Sequence, residues 1–429
     1  MRTMSTFPKL CIHRGADDIG GSCVEIQSAN GKRLILDVGM PLNDEKPTPN
    51  HMPPVPGLQG GDSSIEGILI SHMHADHYGL LHYAHESIPV YMSRFNRNGL
   101  AFAANFVDGT KPCPRARIIY ANKTFRVGKS FTVTPLPMNH SAYGVFSFLV
   151  ETDGKRVLYS GDFRGHGRKD SLGDFCKNPP KGISAVLLEG TTLSRNSNGR
   201  FRTEHEIEAD FENHFRESDG LATVMCSGQN IDRLVTIAKA ARKAGKRLVL
   251  DFYTAEIIKI TGHRGIVPYF EKNTDVYLPW HQKQILIEKQ DPKLFARIGS
   301  CKPRRIYDLN EIPKYKLSAY VFQLSGSVRK DMDKLKTLKL ARPIYSMWEG
   351  YWERLDKMIR EKKFLKKHGY DEPVFLHTSG HASREDLERY AKAANAKQII
   401  PIHTKVPQLY KSIFPTAKIL NNGEWLDIK

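Results

Sequence analysis

The segment His72-Met73-His74-Ala75-Asp76-His77 places four candidate metal ligands in six residues, directly after the apolar, strand-like run 65–71. Imidazole nitrogen and carboxylate oxygen are donors that Zn²⁺ prefers, and alternate residues of an extended turn point the same way. His72 and His74 therefore suit one ion, and Asp76 and His77, a step further on, suit a second. Candidate partners recur downstream at the ends of strand-like runs. His140 follows residues 131–136, Asp162 follows 157–161, Glu189 ends 185–188 and His403 ends 399–402, while His381 lies in His377-Thr378-Ser379-Gly380-His381-Ala382. Taken singly, each has an ordinary reading: an acid capping the next turn, or a hydrogen-bonded structural histidine. Their shared placement favours one centre, because a sheet holds its strand ends at fixed separations.

These motifs resemble the metallo-β-lactamase superfamily and, within it, the β-CASP nucleases, over nearly the whole chain. Asp37, in Arg33-Leu34-Ile35-Leu36-Asp37-Val38-Gly39, resembles the first motif and residues 72–77 the second. His140 and Asp162 resemble the third and fourth. Glu189, His381 and His403 resemble the motifs A, B and C that mark the β-CASP branch. The His-x-His-x-Asp-His element alone indicates only the superfamily; the Ser-Gly-His element and the later strand-end histidine narrow it. At motif C, members acting on RNA typically carry histidine and DNA-repair members a small aliphatic residue; this chain has His403. The loops Cys226-Ser227-Gly228-Gln229-Asn230 and Gln323-Leu324-Ser325-Gly326-Ser327 are similar, more loosely, to nucleotide-contacting loops of the ribonuclease J group. That group usually adds a domain after the motif C region, whereas this sequence stops at Lys429. A short form is therefore expected, with a homodimer as the assembly to test.

The resemblance implies a fold and a mechanism. The fold is α/β, an αβ/βα four-layer sandwich with an inserted β-CASP domain. His72, His74 and His140 are expected to hold one divalent ion, Asp76, His77 and His403 a second, and Asp162 to bridge them. Zn²⁺ is the expected metal, and Mn²⁺ suits the same donors. Two ions roughly 3.5–4 Å apart lower the pKa of a shared water and clamp a phosphate. The expected reaction is hydrolysis of phosphodiester bonds in single-stranded RNA, by 5′ exonuclease action, internal cleavage or both. His381 is expected to protonate the departing 3′ oxygen, with Glu189 orienting its ring and Asp37 supporting the ligand loop from behind. Ser227, Asn230, Arg233, Ser325 and Ser327 precede or open helices, where backbone N–H groups attract phosphate, and Ser379 adjoins motif B; the same serines serve equally well as helix caps. Tyr351 and Trp352 suit either base stacking or core packing.

Composition agrees with a large enzyme acting on a polyanion. Lys and Arg exceed Asp and Glu by 18, a surplus that favours nucleic acid over a neutral metabolite through counterion release. Much of it lies between Arg329 and Lys367, including Lys334, Lys336, Lys339, Arg342, Lys362, Lys363, Lys366 and Lys367, interspersed with Glu349, Glu353, Asp356 and Glu361. Six cysteines without CxxC spacing suggest neither a disulfide framework nor a thiolate zinc site. No apolar run approaches the roughly 20 residues needed to cross a bilayer, and the N-terminus lacks a signal-peptide core, so no membrane association and a cytoplasmic location are expected. Three other readings stay open. A small ester or thioester hydrolase explains residues 72–77 but not His381 or the insertion, a DNA nuclease differs only in polymer, and a non-catalytic nucleic-acid binder conflicts with the intact ligand set.

The positioning elements follow from pattern. Residues 8–38 read as short strands, a helical stretch runs from about 76 to 85, a helix lies near 95–106, and β-rich runs occupy 117–160. Thr203-Glu204-His205-Glu206 has a capping-box pattern and opens a helix to about Phe215. A βαβ unit follows, with strand 222–225, helix 230–244 and strand 247–250. Alternation resumes with strand 320–324, helix 330–338, strand 343–346 and helix 351–365. The expected partition is a first domain over 1–204, a β-CASP domain over 205–368, and a return to the first domain over 369–429 through strand 374–376, a helix opened by Ser383, and strands near 398–402 and 425–428.

Overall fold

The computed structural model describes residues 7–42, 46–195, 199–312, 314–335, 338–354 and 358–429. The chain forms two compact units, Met1–Phe201 with Gly380–Lys429, and Arg202–Ser379.

In the first unit, strands β1 (Lys9–Arg14), β2 (Cys23–Gln27), β3 (Arg33–Leu36), β4 (Ile65–Leu69), β5 (Val90–Ser93) and β6 (Arg117–Ile119) lie side by side, with the C-terminal strand Trp425–Asp427 against β1. β1 to β3 run antiparallel and β3 to β6 parallel. The second sheet runs β7 (Phe125–Val127), β8 (Phe131–Met138), β9 (Val145–Thr152), β10 (Lys155–Tyr159), β11 (Ala185–Glu189) and then strand Gln398–Ile402. Alternate residues of the first sheet, Leu10 and Ile12, Val24 and Ile26, Leu34 and Leu36, meet Phe131, Phe148, Val150, Val157 and Leu187 of the second in one core. This is the period-two burial of a sheet packed on a sheet. The far face of the second sheet buries Leu158, Val186 and Leu188 with Leu172 and Tyr390 from helices Ser171–Lys177 and Arg384–Ala394. The fold is an α/β sandwich of the expected kind. Truncating the fully buried Phe148 to alanine costs about 3–5 kcal/mol.

The second unit carries a parallel sheet of β12 (Ala222–Met225), β13 (Arg247–Asp251), β14 (Thr274–Tyr277), β15 (Arg304–Ile306), β16 (Tyr320–Gln323), β17 (Ile344–Tyr345) and β18 (Val374–Phe375), in the order β15-β14-β13-β16-β12-β17-β18. Helix Glu204–Glu217 opens with the expected capping box, Thr203 and Glu206 each serving the other's backbone N–H.

Three expectations change. Strand 374–375 pairs with β17 and is the edge of the second unit's sheet, so the return to the first unit comes at Gly380, not at 369. The helix expected over 330–338 is Gly326–Met332, because the Ser325 side chain accepts from Val328 N and starts it earlier. The helix expected over 351–365 is two, Glu349–Glu353 and Ile359–Lys367. Lys336, Asp356 and parts of both expected helices lie outside the described residues.

Candidate metal centre

Apart from His381, the candidate ligands of the first unit sit at or beyond the C-terminal end of a strand. β4 leads into Ser71 and His72, β8 into His140, β10 into Asp162, β11 ends on Glu189, and strand Gln398–Ile402 leads into His403. The turn at residues 72–77 is pinned by backbone contacts: Asp76 O accepts from Ser22 N at 3.0 Å. Gly39 is required there, since a Cβ on it would stand 1.8 Å from Asp76 O. Asp37 and His403 both hold left-handed backbone, at φ 60° and 55°, a conformation that costs a side-chain-bearing residue free energy and clusters at functional sites.

Among the described residues three groups of donors converge, with ligand atoms within 4.8 Å of one another: His72, His74 and His140; Asp76, His77, Asp162 and His403; and Asp162, Glu189, His381 and His403. Asp162 Oδ2 stands between the first two, 3.8 Å from His72 Nε2 and His140 Nε2 and 3.1 Å from His77 Nε2. His403 Nε2 is 3.2 Å from Asp76 Oδ2. His381 Nδ1 is 3.3 Å from Glu189 Oε2 and 3.7 Å from Asp162 Oδ2. Glu189 is itself fixed, accepting from Phe163 N at 3.0 Å and Thr191 N at 3.2 Å.

The outer nitrogens of the imidazoles are held from behind. His140 Nδ1 donates to Gly380 O at 2.5 Å, and His77 Nδ1 to Asp37 Oδ2 at 2.8 Å. His403 Nδ1 is 2.8 Å from Thr191 Oγ1. Fixing one nitrogen sets the ring orientation and presents the other to an ion. Asp37 also accepts from Ser71 N, Ser71 Oγ and Tyr159 OH at 2.7, 2.7 and 2.8 Å. Thr191, Tyr159 and the Gly380 carbonyl were not legible in the sequence. A threonine two residues past Glu189 is the faint signal that existed.

The electrostatics suit a cation. Burial, reinforced by His77, His74 and His140, holds the His72 imidazole well below its usual range, and burial takes His74 down to about 4. His140 is held down by burial and by His381 and His74. These rings are therefore neutral, the ligating form. Burial works to raise Asp162, but His403, His77 and His381 outweigh it and keep the carboxylate ionised. Burial presses His77 and His403 down as well, yet the facing carboxylates, Asp162 foremost, raise both. The buried atoms His72 Nε2 and Asp162 Oδ1 have no hydrogen-bond partner among the described residues. Stranded acceptors of this kind are costly, and an N/O-ligated divalent ion satisfies them. The residues present thus fit a divalent metal.

A beta-lactamase superfamily domain matches residues 34–215, and a Zn-dependent metallo-hydrolase RNA specificity domain matches residues 374–411. The chain thus carries a beta-lactamase superfamily domain and is a β-CASP ribonuclease J-like protein. Among curated members it is 21% identical over 398 residues to a ribonuclease J of Sinorhizobium meliloti, covering 87% of this chain and 65% of that protein. It is 20% identical over 421 residues to a ribonuclease J of Synechocystis, covering 92% and 62%. A Mycobacterium tuberculosis ribonuclease J is 26% identical over 249 residues, covering 54% and 42%. The chain thus spans less than two thirds of the length of these relatives. The fold also recurs in a solved protein of unknown function from Enterococcus faecalis, with a TM-score of 0.77 and 19% identity, covering 98% of this chain and 100% of that one.

The expected substrate contacts lie in the second unit and divide. Ser325 accepts from Val328 N and Asn230 from Arg233 N, so both are helix caps. Ser227 is exposed, its Oγ accepting from Gln229 N, and Ser327 is half-buried. Ser325 also borders a cavity of about 260 Å³ with Gly228, Tyr253 and Thr254. Ser379 is buried. Arg233 is a correction. Its guanidinium is fully buried, pairs with Glu204 at 3.0 Å and donates to Ser346 and to Thr378 O, so its donors face protein and not substrate. Trp352 packs in the second unit's core, whereas Tyr351 is exposed, with Arg354 over its ring.

Proposed function

We propose that this chain hydrolyses phosphodiester bonds of single-stranded RNA at a centre for two divalent ions. One observation carries the reading: Asp162 belongs to the set with Asp76, His77 and His403, and its carboxylate also stands 3.8 Å from His72 and His140 of the set His72, His74, His140. The ribonuclease J relatives, the RNA specificity domain over residues 374–411 and the surplus of 18 cationic side chains support RNA as the polymer.

Bound Zn²⁺ or Mn²⁺ would supply Lewis acidity, activating water and neutralising charge on the scissile phosphate. The remaining work falls to side chains. Asp162 holds the two ligand sets at a fixed separation and stays ionised through its imidazole neighbours. His381, one-fifth exposed and with Nδ1 within ion-pair distance of Glu189, carries Nε2 toward the departing O3′ and delivers its proton there. Asp37, through His77 Nδ1, keeps that ring's Nε2 turned inward. The cytoplasm, where single-stranded RNA is processed, is the inferred compartment.

Digestion of end-labelled single-stranded RNA bearing 5′ hydroxyl, monophosphate or triphosphate ends, beside matched DNA, tests the reading. RNA-selective, metal-dependent cleavage is expected, and the product ladder reports direction and end preference. Cleavage of DNA alone, or turnover of a generic thioester with RNA untouched, would overturn it.

A further inference from the structure

The second unit presents two aromatic side chains that are about half exposed. Trp280 is 55% exposed and Tyr307 44%. They follow neighbouring parallel strands: β14 ends at Tyr277 and β15 at Ile306, and Leu278 N donating to Ile306 O at 3.1 Å carries the pairing one step further. Both rings therefore emerge at the carboxyl edge of the sheet. The loops after β12, β13 and β16 border the 260 Å³ cavity at that same edge, the side on which open parallel α/β sheets bind ligands.

Each residue is held through its backbone and has an ammonium group beside its ring. Trp280 N donates to the buried carboxylate of Asp331 at 2.7 Å, fixing the start of helix Trp280–Lys289. Lys334 Nζ lies 5.1 Å from the Trp280 ring centroid. Lys283, one helical turn past Trp280, lies 5.8 Å from the Tyr307 centroid and donates to the Tyr307 carbonyl. Asp308, the next acid, is turned to its own loop by Asn310 N at 2.9 Å. An exposed ring beside an ammonium group offers a nucleic acid strand both of its needs, a π-face for a base and a positive charge for the phosphate.

Resting on the reading of the chain as an RNA enzyme, we propose that Trp280 and Tyr307, with Lys334 and Lys283, form a stacking platform for bases of single-stranded RNA, separate from the residues of the metal centre. Duplex RNA does not fit, since its bases are already stacked. A protein partner is the weaker reading because the groups beside the rings are charged, Lys283 and Lys334 with its ion-pair partner Asp331, and the same helix adds one exposed aliphatic side chain, Ile287.

The test is fluorescence anisotropy of a labelled 20-nucleotide single-stranded RNA and of the matching duplex, with the full chain in chelator to block cleavage. Trp280→Ala and Tyr307→Ala are each expected to weaken single-strand binding by about tenfold, Trp280→Phe to restore it, and duplex binding to stay unchanged. Lys283→Gln and Lys334→Gln should each flatten the slope of log affinity against log salt by about 0.7. If the wild type binds the single strand and both alanine variants bind it equally well, or lose duplex binding to the same extent, the platform is refuted while the proposed function stands. If the wild type binds no RNA, the functional reading fails and the platform with it.

Discussion

Asp37 and His77 share a 2.8 Å hydrogen bond beneath the candidate metal centre. The carboxylate that makes it also accepts from Ser71 and Tyr159, so one buried acid orders a ligand ring, the start of the ligand loop and the end of β10. Asp37→Asn keeps the shape and tolerates the left-handed backbone, but it loses the charge that orients His77. Metal affinity is expected to fall by about 10–100-fold, measured by competition with a chelating dye. Asp37→Ala should also lower stability by about 1–3 kcal/mol, because it strands buried donors. Unchanged affinity in the asparagine variant would show that His77 needs no orienting partner.

Asp162 and His381 stand 3.7 Å apart yet are assigned different work. Asp162→Ala should lose bound metal and activity together. His381→Ala should keep its metal while single-turnover cleavage slows by about 10²–10⁴-fold. Metal analysis beside rapid-quench kinetics separates the two, and metal loss in the His381 variant would remove its assignment as proton donor.

Metal binding should release protons. Asp162 and Asp76 raise His77 well above its ordinary value and raise His403 as well, so an ion must displace protons that these rings hold more tightly than a free imidazole does. Affinity is therefore expected to rise with pH. His74, held to about 4, is already neutral and contributes nothing to the release above that value. Calorimetry at pH 7 in buffers of different ionisation enthalpy reads the proton count; buffer-independent heats would contradict the electrostatics described for His77.

The buried pair Arg233–Glu204 makes a structural prediction where the sequence suggested a substrate contact. Both side chains are fully buried, so Arg233→Ala leaves an uncompensated carboxylate and should cost about 3–5 kcal/mol in urea denaturation. RNA affinity per folded molecule should not change. A stable variant with weakened RNA binding would return Arg233 to the substrate.

The metal-ligand set was legible because its chemistry is unusual residue by residue, and because strand-end placement shows in short apolar runs such as 185–188. Partners that act at a distance were not. Nothing near Arg233 announces Glu204, and nothing near His403 announces Thr191. Strands β14 and β15 escaped because Thr274-Asp275-Val276-Tyr277 and Arg304-Arg305-Ile306 are short and half polar, lying toward the edge of the sheet where apolar alternation is weak. The two-residue strand β18 could not declare which sheet it joins, and for that reason the expected domain boundary fell ten residues or so early.

Anomalous scattering from crystals grown with Zn²⁺ tests the central claim most directly. Two peaks about 3.5–4 Å apart are expected, one among His72, His74 and His140, the other among Asp76, His77 and His403, with Asp162 touching both. A single peak, or peaks away from Asp162, would contradict the two-ion centre.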